Sequence, residues 1–117
     1  MLLQIERQNA GPGTMVLKLS GRVTLGRSSQ ELEWEIDKLI TEGTKHVILD
    51  VSQVDRIDSA GLGILALASG KARAGGGDLR VAGPQGFVDQ VIKMTKLESV
   101  FSVFPNVEAA TEGLPKG

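Results

Sequence analysis

The run Val47-Ile48-Leu49-Asp50-Val51 constrains this chain more than any other stretch. It is almost wholly apolar and mostly β-branched, the composition of a strand buried on both faces inside a parallel sheet. Parallel neighbours need crossover connections of about a dozen residues or more, so helical patterns should flank the run, and they do. Before it, Leu32, Ile36, Leu39 and Ile40 recur at helical spacing. Ser28, with Glu31 three residues on, has the form of a capping box that starts this helix. Gly43 suits a left-handed cap that ends it. Trp34 falls off the apolar stripe and is expected to cover an edge. After the run, a loop over Ser52 to Ile57 leads to Asp58-Ser59-Ala60-Gly61, which opens a second helix reaching about Ala74. Gly75-Gly76-Gly77 breaks it.

The rest of the chain extends this alternation. Leu2 to Gln8 reads as a strand, Asn9-Ala10-Gly11-Pro12-Gly13 as a turn and Met15 to Leu19 as a second strand, together an antiparallel hairpin. Leu79 to Ala82 is a fourth strand. The turn Gly83-Pro84-Gln85-Gly86 precedes a helix from Phe87 to about Met94, with Val88, Val91 and Ile92 inward. Val100 to Val103 is a short last strand and Pro105 to Glu112 a final helix. The order ββαβαβαβα predicts a single-domain α/β fold: a five-stranded mixed sheet, an N-terminal hairpin plus parallel strands, with about four helices. Right-handed crossovers between neighbouring strands would put those helices mainly on one face. A chain of 117 residues buries about two-thirds of its unfolded surface without a disulfide or metal. The domain is expected over residues 1–113, with a flexible tail at 114–117.

Composition narrows the function. The formal net charge is −1, and three Phe, one Trp and no Tyr give neither a basic footprint nor stacking platforms for nucleic acid. Without cysteine there is no thiolate zinc site or disulfide framework, which fits a reducing cytoplasm. Met1 to Arg7 lacks the pattern of a signal peptide, and the apolar stretch from Ala60 to Ala68 is too short to span a bilayer. The expectation is a soluble cytoplasmic protein that contacts no membrane.

Enzyme motifs are weak. Gly61-Leu62-Gly63-Ile64-Leu65-Ala66 fits the glycine spacing of a dinucleotide fingerprint. However, about nine loop residues are expected between Val51 and Gly61, and Val81 stands where an acid should close the next strand. A Ser-His-Asp site would need His46, the one histidine, at the far end of a strand roughly 15 Å from Ser59. Ser69-Gly70-Lys71 lies mid-helix without the upstream glycine of a phosphate loop. Asp50, Asp55 and Asp89 lack metal-ligand spacing and read, for the first two, as strand-end and loop residues. The reading has no catalytic residue, no cofactor and no metal.

The segment from Asp58 to Gly70 is the informative one. Asp58 is a natural N-cap, which sets Ser59 at a helix amino terminus where N–H groups and the helix dipole tolerate an anion. Gly61 and Gly63 each cost about 1 kcal/mol in a helix, which suggests close approach by a neighbour or a partner. The helix carries no charge before Lys71, and Leu62, Ile64, Leu65 and Leu67 spread over more than one face. Such a helix is either sandwiched in the core or partly exposed as a contact surface.

Asp58-Ser59-Ala60-Gly61-Leu62-Gly63 after an apolar strand resembles the phosphorylation-site motif of the STAS domain of bacterial anti-sigma factor antagonists. Leu19-Ser20-Gly21, Val47-Ile48-Leu49-Asp50, the glycine break before Leu79-Arg80-Val81 and Met94-Thr95-Lys96-Leu97 also fall where that family has them. The resemblance implies a non-catalytic regulator of sigma-factor-dependent transcription. It would bind an anti-sigma factor that is also a serine protein kinase, be phosphorylated on Ser59 and let go, and be reset by a phosphoserine phosphatase. It would be a monomer or weak dimer. The docking surface expected from it combines Thr24, Asp58, Ser59, Ala60, Gly61, Leu62, Gly63, Gly83 and Pro84. Thr24 stands where the family often has an acidic residue in a loop that takes part in kinase binding, which bears on partner identity. Alternatives of another class are a STAS subunit of a lipid-transport or stress-signalling complex and, more remotely, a small nucleotide-binding enzyme.

Overall fold

The structure, a computed structural model, describes residues 3–115. The elements in chain order are β1 (Leu3–Asn9), β2 (Thr14–Val23), α1 (Arg27–Thr41), β3 (His46–Ile57), α2 (Ser59–Ala74), β4 (Asp78–Ala82), α3 (Gly86–Met94), a 3₁₀ turn (Leu97–Ser99), β5 (Ser102–Phe104) and α4 (Val107–Thr111). The strands form one sheet in sequence order, β1-β2-β3-β4-β5. β1 runs antiparallel to β2, and all other pairs are parallel.

The period of two decides which face each strand residue serves. Leu17, Leu19, Val47, Leu49, Val51, Leu79 and Val81 turn to one side and pack with Leu32, Ile36 and Leu39 of α1, Leu62, Leu65 and Ala68 of α2, and Val88 and Ile92 of α3. Val16, Ile48 and Ala82 turn to the other side and meet Ala110 of α4. Three helices therefore cover one face and the short α4 covers part of the other, as right-handed crossovers between sequential neighbours require. Leu114, the first residue of the expected tail, packs against the α4 cluster. Leu2, expected to open β1, and Lys116 and Gly117 of the expected tail lie outside the described residues.

Several boundaries differ from the sequence reading. β3 continues through Ile57 alongside β2, where a loop was expected from Ser52. Its pairing with β2 slips twice. Lys18 faces Asp50, Ser20 faces Gln53, Gly21 faces Val54 and Arg22 faces Arg56, so β3 gains one residue at each slip. Such bulges break strict alternation. They let both Val54 and Ile57 face the core. The continuation of β3 to Ile57 puts Asp50 and Asp55 inside the strand instead of at its end or in a loop. The Ser28–Glu31 capping box does not form. Gly26, at φ 109, is the N-cap of α1 without a side-chain bond. Ser28 is buried and its hydroxyl donates to the Thr24 carbonyl, 3.0 Å, while accepting from the Thr24 N–H, 3.2 Å. The serine braces the preceding loop instead of capping. Gly43 does end α1 in a left-handed conformation, its N–H on the Ile40 carbonyl and that of Thr44 on Leu39. Trp34 covers no edge: it is 67 % exposed, with Lys38 Nζ 5.3 Å from its ring centre.

Candidate docking site around Ser59

β2 and β3 run side by side to Val23 and Ile57, and the chain then turns straight into α2. Asp58 is the hinge of this turn. Its Oδ1 accepts from the Gly61 N–H and its Oδ2 from the Leu25 N–H, both at 2.9 Å. One carboxylate thus caps α2 and holds the β2–α1 loop against it. The Leu25 and Gly61 N–H groups hold the Asp58 carboxyl below its ordinary value, so it stays ionised at neutral pH.

Ser59, the first residue of α2, is exposed. Gly61 faces inward. A Cβ there would lie 2.2 Å from the Val23 carbonyl oxygen and 2.9 Å from Ile57 Cγ1. The close approach read from the sequence is therefore made, at Gly61, by the protein's own β2. Gly63 is exposed, and a Cβ on it would meet nothing within 4 Å. Leu62 and Leu65 are buried in the main core, whereas Leu67 is 51 % exposed. The apolar helix is thus partly sandwiched and partly open. Ser59, Gly63 and Leu67 recur four residues apart along its open side.

The structure does not assemble the whole expected surface. Thr24 and Ala60 are half-buried beside Asp58, on the rim of the Ser59 end. Gly61 and Leu62 are buried and support the site from beneath, which corrects their assignment to the docking surface. Gly83 and Pro84 belong elsewhere. β4 ends level with Asp50, since Ala82 pairs with that residue, and β3 then runs seven residues further with β2 alone. Gly83 is buried, and its added Cβ would sit 3.3 Å from Ser52 Cβ. Five further strand residues at about 3.3 Å each separate Ser52 from Ile57 below the serine.

One feature escaped the sequence reading. Leu25 is 80 % exposed in the loop that Asp58 pins, beside the start of α2. A lone leucine between Thr24 and Gly26, outside any periodic run, was the signal.

The enzyme motifs resolve structurally. Only Asp58, Ser59 and Ala60 stand between β3 and Gly61, so the long loop counted against a dinucleotide fingerprint is absent. Gly61 is instead filled against by the Val23 carbonyl, and Val81 is buried mid-strand. His46 opens β3 and bonds Asp78, 2.7 Å, with the length of that strand between it and Ser59. Ser69 is buried in α2 and donates to the Val100 carbonyl, and Lys71 is paired with Asp37. No group of three or more His, Cys, Asp or Glu among the described residues is arranged to hold a metal ion, and no described helix is long and apolar enough to cross a membrane.

The sequence pattern of the STAS domain matches residues 7–110. The chain belongs to the STAS domain family. Among curated relatives, BtrV of Bordetella bronchiseptica, named as an anti-sigma factor antagonist, is 30 % identical over 98 residues, 84 % of either chain. Solved structures superpose closely. A Thermotoga maritima protein described as an anti-sigma factor antagonist gives a TM-score of 0.83 at 19 % identity over 92 % of each chain. SpoIIAA, a Bacillus cell fate determinant solved in its phosphorylated form, gives 0.70 at 18 % over 92 % of this chain and 96 % of that one. The identification as an anti-sigma factor antagonist family member agrees with the motif from Asp58 to Gly63.

Proposed function

We propose that this chain docks an anti-sigma factor through the Ser59 end of β2, β3 and α2, and that phosphorylation of Ser59 breaks the complex. The observation that carries this reading is the exposed Ser59 hydroxyl on the first residue of α2, with exposed Leu25 and Gly63 around it and an ionised Asp58 beneath. The naming of BtrV and the existence of a phosphorylated form of SpoIIAA support it by family likeness.

The physics gives the switch its direction. Unphosphorylated, the surface offers an apolar leucine, an open glycine and a hydroxyl, all cheap to desolvate. A phosphate adds roughly −1.5 to −2 charges next to the Asp58 carboxylate. Both oxygens of that carboxylate are already held by N–H groups, so it cannot move away. The helix terminus tolerates the anion while solvent bathes it. Inside a contact, the unpaired dianion costs several kcal/mol, roughly 3–5. The switch therefore acts on the complex and leaves the fold intact. In this reading the protein is a cytoplasmic binding module and not a catalyst. The anti-sigma factor itself is the serine kinase, and a phosphoserine phosphatase restores the hydroxyl.

The test is a native-lysate capture with wild-type, Ser59→Ala and Ser59→Asp protein, then titration of the purified partner and mass spectrometry after incubation with it and ATP. The reading expects phosphate on Ser59, binding kept by Ser59→Ala and weakened at least about tenfold by Ser59→Asp. Phosphate on another residue, or full affinity in Ser59→Asp, rejects it.

A further inference from the structure

Arg22 of β2 and Arg56 of β3 stand directly opposite each other in the parallel register. Their neighbours Val23 and Ile57 point into the main core, so the two arginines share the opposite face of the sheet. Both are exposed. Among the described residues neither forms a salt bridge. Like charges placed directly across a sheet destabilise it.

The local sequence offered a better pairing. Had β2 and β3 kept the register of Gly21 with Val54, Arg22 would have faced Asp55. The second bulge makes Asp55 the extra residue and brings Arg56 alongside Arg22 instead. Lower on the same sheet the register balances charge, because Lys18 stands between Glu6 and Asp50. Among the described residues, a directly opposed like-charged pair occurs only near the end that carries Ser59. Arg56 lies two residues before Asp58, and Arg22 three before the exposed Leu25.

We infer that Arg22 and Arg56 form a recognition site for an acidic stretch on the protein that docks at Ser59. This rests on the reading of that end as a docking surface and adds the chemistry of the partner. Two guanidinium forks in register match carboxylates, which they can bind in bidentate fashion. The adjoining leucine supplies an apolar anchor that a folded protein surface can cover. Two cations on a chain of net charge −1 are too few to hold a nucleic acid backbone. Complementary charge of this kind selects the partner and speeds its arrival.

The arrangement predicts opposite signs for two measurements on one variant. Arg56→Glu replaces a like pair with an attractive one, so the free protein should melt higher, by roughly 1–4 °C. The same change should weaken the complex by about tenfold or more. The probe is the purified protein that wild-type chain retains from native lysate and Ser59→Asp loses, titrated with and without nuclease and at low and high salt. Arg22→Glu/Arg56→Glu should weaken it further, while Lys38→Glu/Lys93→Glu, with equal charge change on distant helices, should bind as wild type does. Unchanged affinity in Arg56→Glu, an equal loss in the distant pair, or binding abolished by nuclease would each overturn the assignment while Ser59 control could still stand. If no Ser59-sensitive partner exists, the docking reading and this inference fall together.

Discussion

The two ends of β3 belong to one strand and are finished in opposite ways. At the His46 end the charged groups are used up within the fold. His46 Nδ1 and Asp78 Oδ1 lie 2.7 Å apart, Arg80 Nε donates to Asp78 Oδ2 at 3.1 Å and its Nη1 to the Ala110 carbonyl at 2.8 Å, and Lys45 Nζ donates to the Gly75 carbonyl. At the Ile57 end, among the described charged groups, only Asp58 is tied inward, and its partners are backbone N–H groups. Ser59, Leu25, Arg22 and Arg56 around it are left to solvent. A domain this small closes its fold with the first kind of edge. At the second, Ser59, Leu25, Arg22 and Arg56 give little to folding, and their presence is better explained by what they touch outside.

The largest expected effect tests whether the Ser59 end has a rigid base. Gly61→Ala would push a methyl into the Val23 carbonyl and Ile57, and the nearest atom is backbone, which cannot swing aside as a side chain can. The fold should lose about 3 kcal/mol, read by denaturant titration. A variant as stable as wild type would mean that the β2 end and α2 move apart easily, and the contrast between a closed base and an open rim would fail.

A smaller effect compares the two aspartates. Asp58→Ala removes an N-cap and leaves the Leu25 N–H without its acceptor, at a cost of about 2 kcal/mol. Both Asp58 and Asp78 titrate below the ordinary 3.8 in the folded chain. For Asp58 the cause is the Leu25 and then the Gly61 N–H. For Asp78 burial pushes upward and is outweighed by the bonds to His46 and Arg80. A lowered folded pKa means stability that is complete above the ordinary value and lost as pH falls through the folded one. The stability gap between wild type and Asp58→Asn should therefore hold from pH 7 to about 5 and shrink below pH 4. A gap that instead grows on acidification would show that the Asp58 charge strains the turn.

How much of this was legible in sequence follows from periodicity. The sheet, its helices and the Asp58 cap were readable because Val47 to Val51, the α1 stripe and the Asp58-to-Gly61 spacing are local signals. Ser52 to Arg56 gave no strand signal, since two bulges break the alternation that marks a strand. The same bulges hid the Arg22–Arg56 pairing, which depends on register and cannot be counted from one strand. Gly83 and Pro84 were placed at the wrong level for a related reason. All parallel strands end at the same edge of a sheet, but β3 outruns β4 by seven residues. Ser28 looked like a cap because the motif was present, yet Gly26 already turned the chain and left the serine inside the first turn. The site residues that a sequence does show are those whose role is set by their nearest neighbours along the chain.

The smallest effect sharpens the comparison most. Gly63 lies two residues from Gly61 in the same helix, but a methyl there meets nothing within 4 Å. Its backbone is helical, so no left-handed conformation demands glycine, and folding alone would favour alanine by about 1 kcal/mol. Gly63→Ala should raise the melting temperature by about 3–5 °C. If a partner approaches this side of α2 closely, the same methyl should weaken docking several-fold. A gain in stability with no change in affinity would show that glycine at 63 serves neither the fold nor the contact. The docking area would then end at Ser59 and Leu25, short of the second turn of α2.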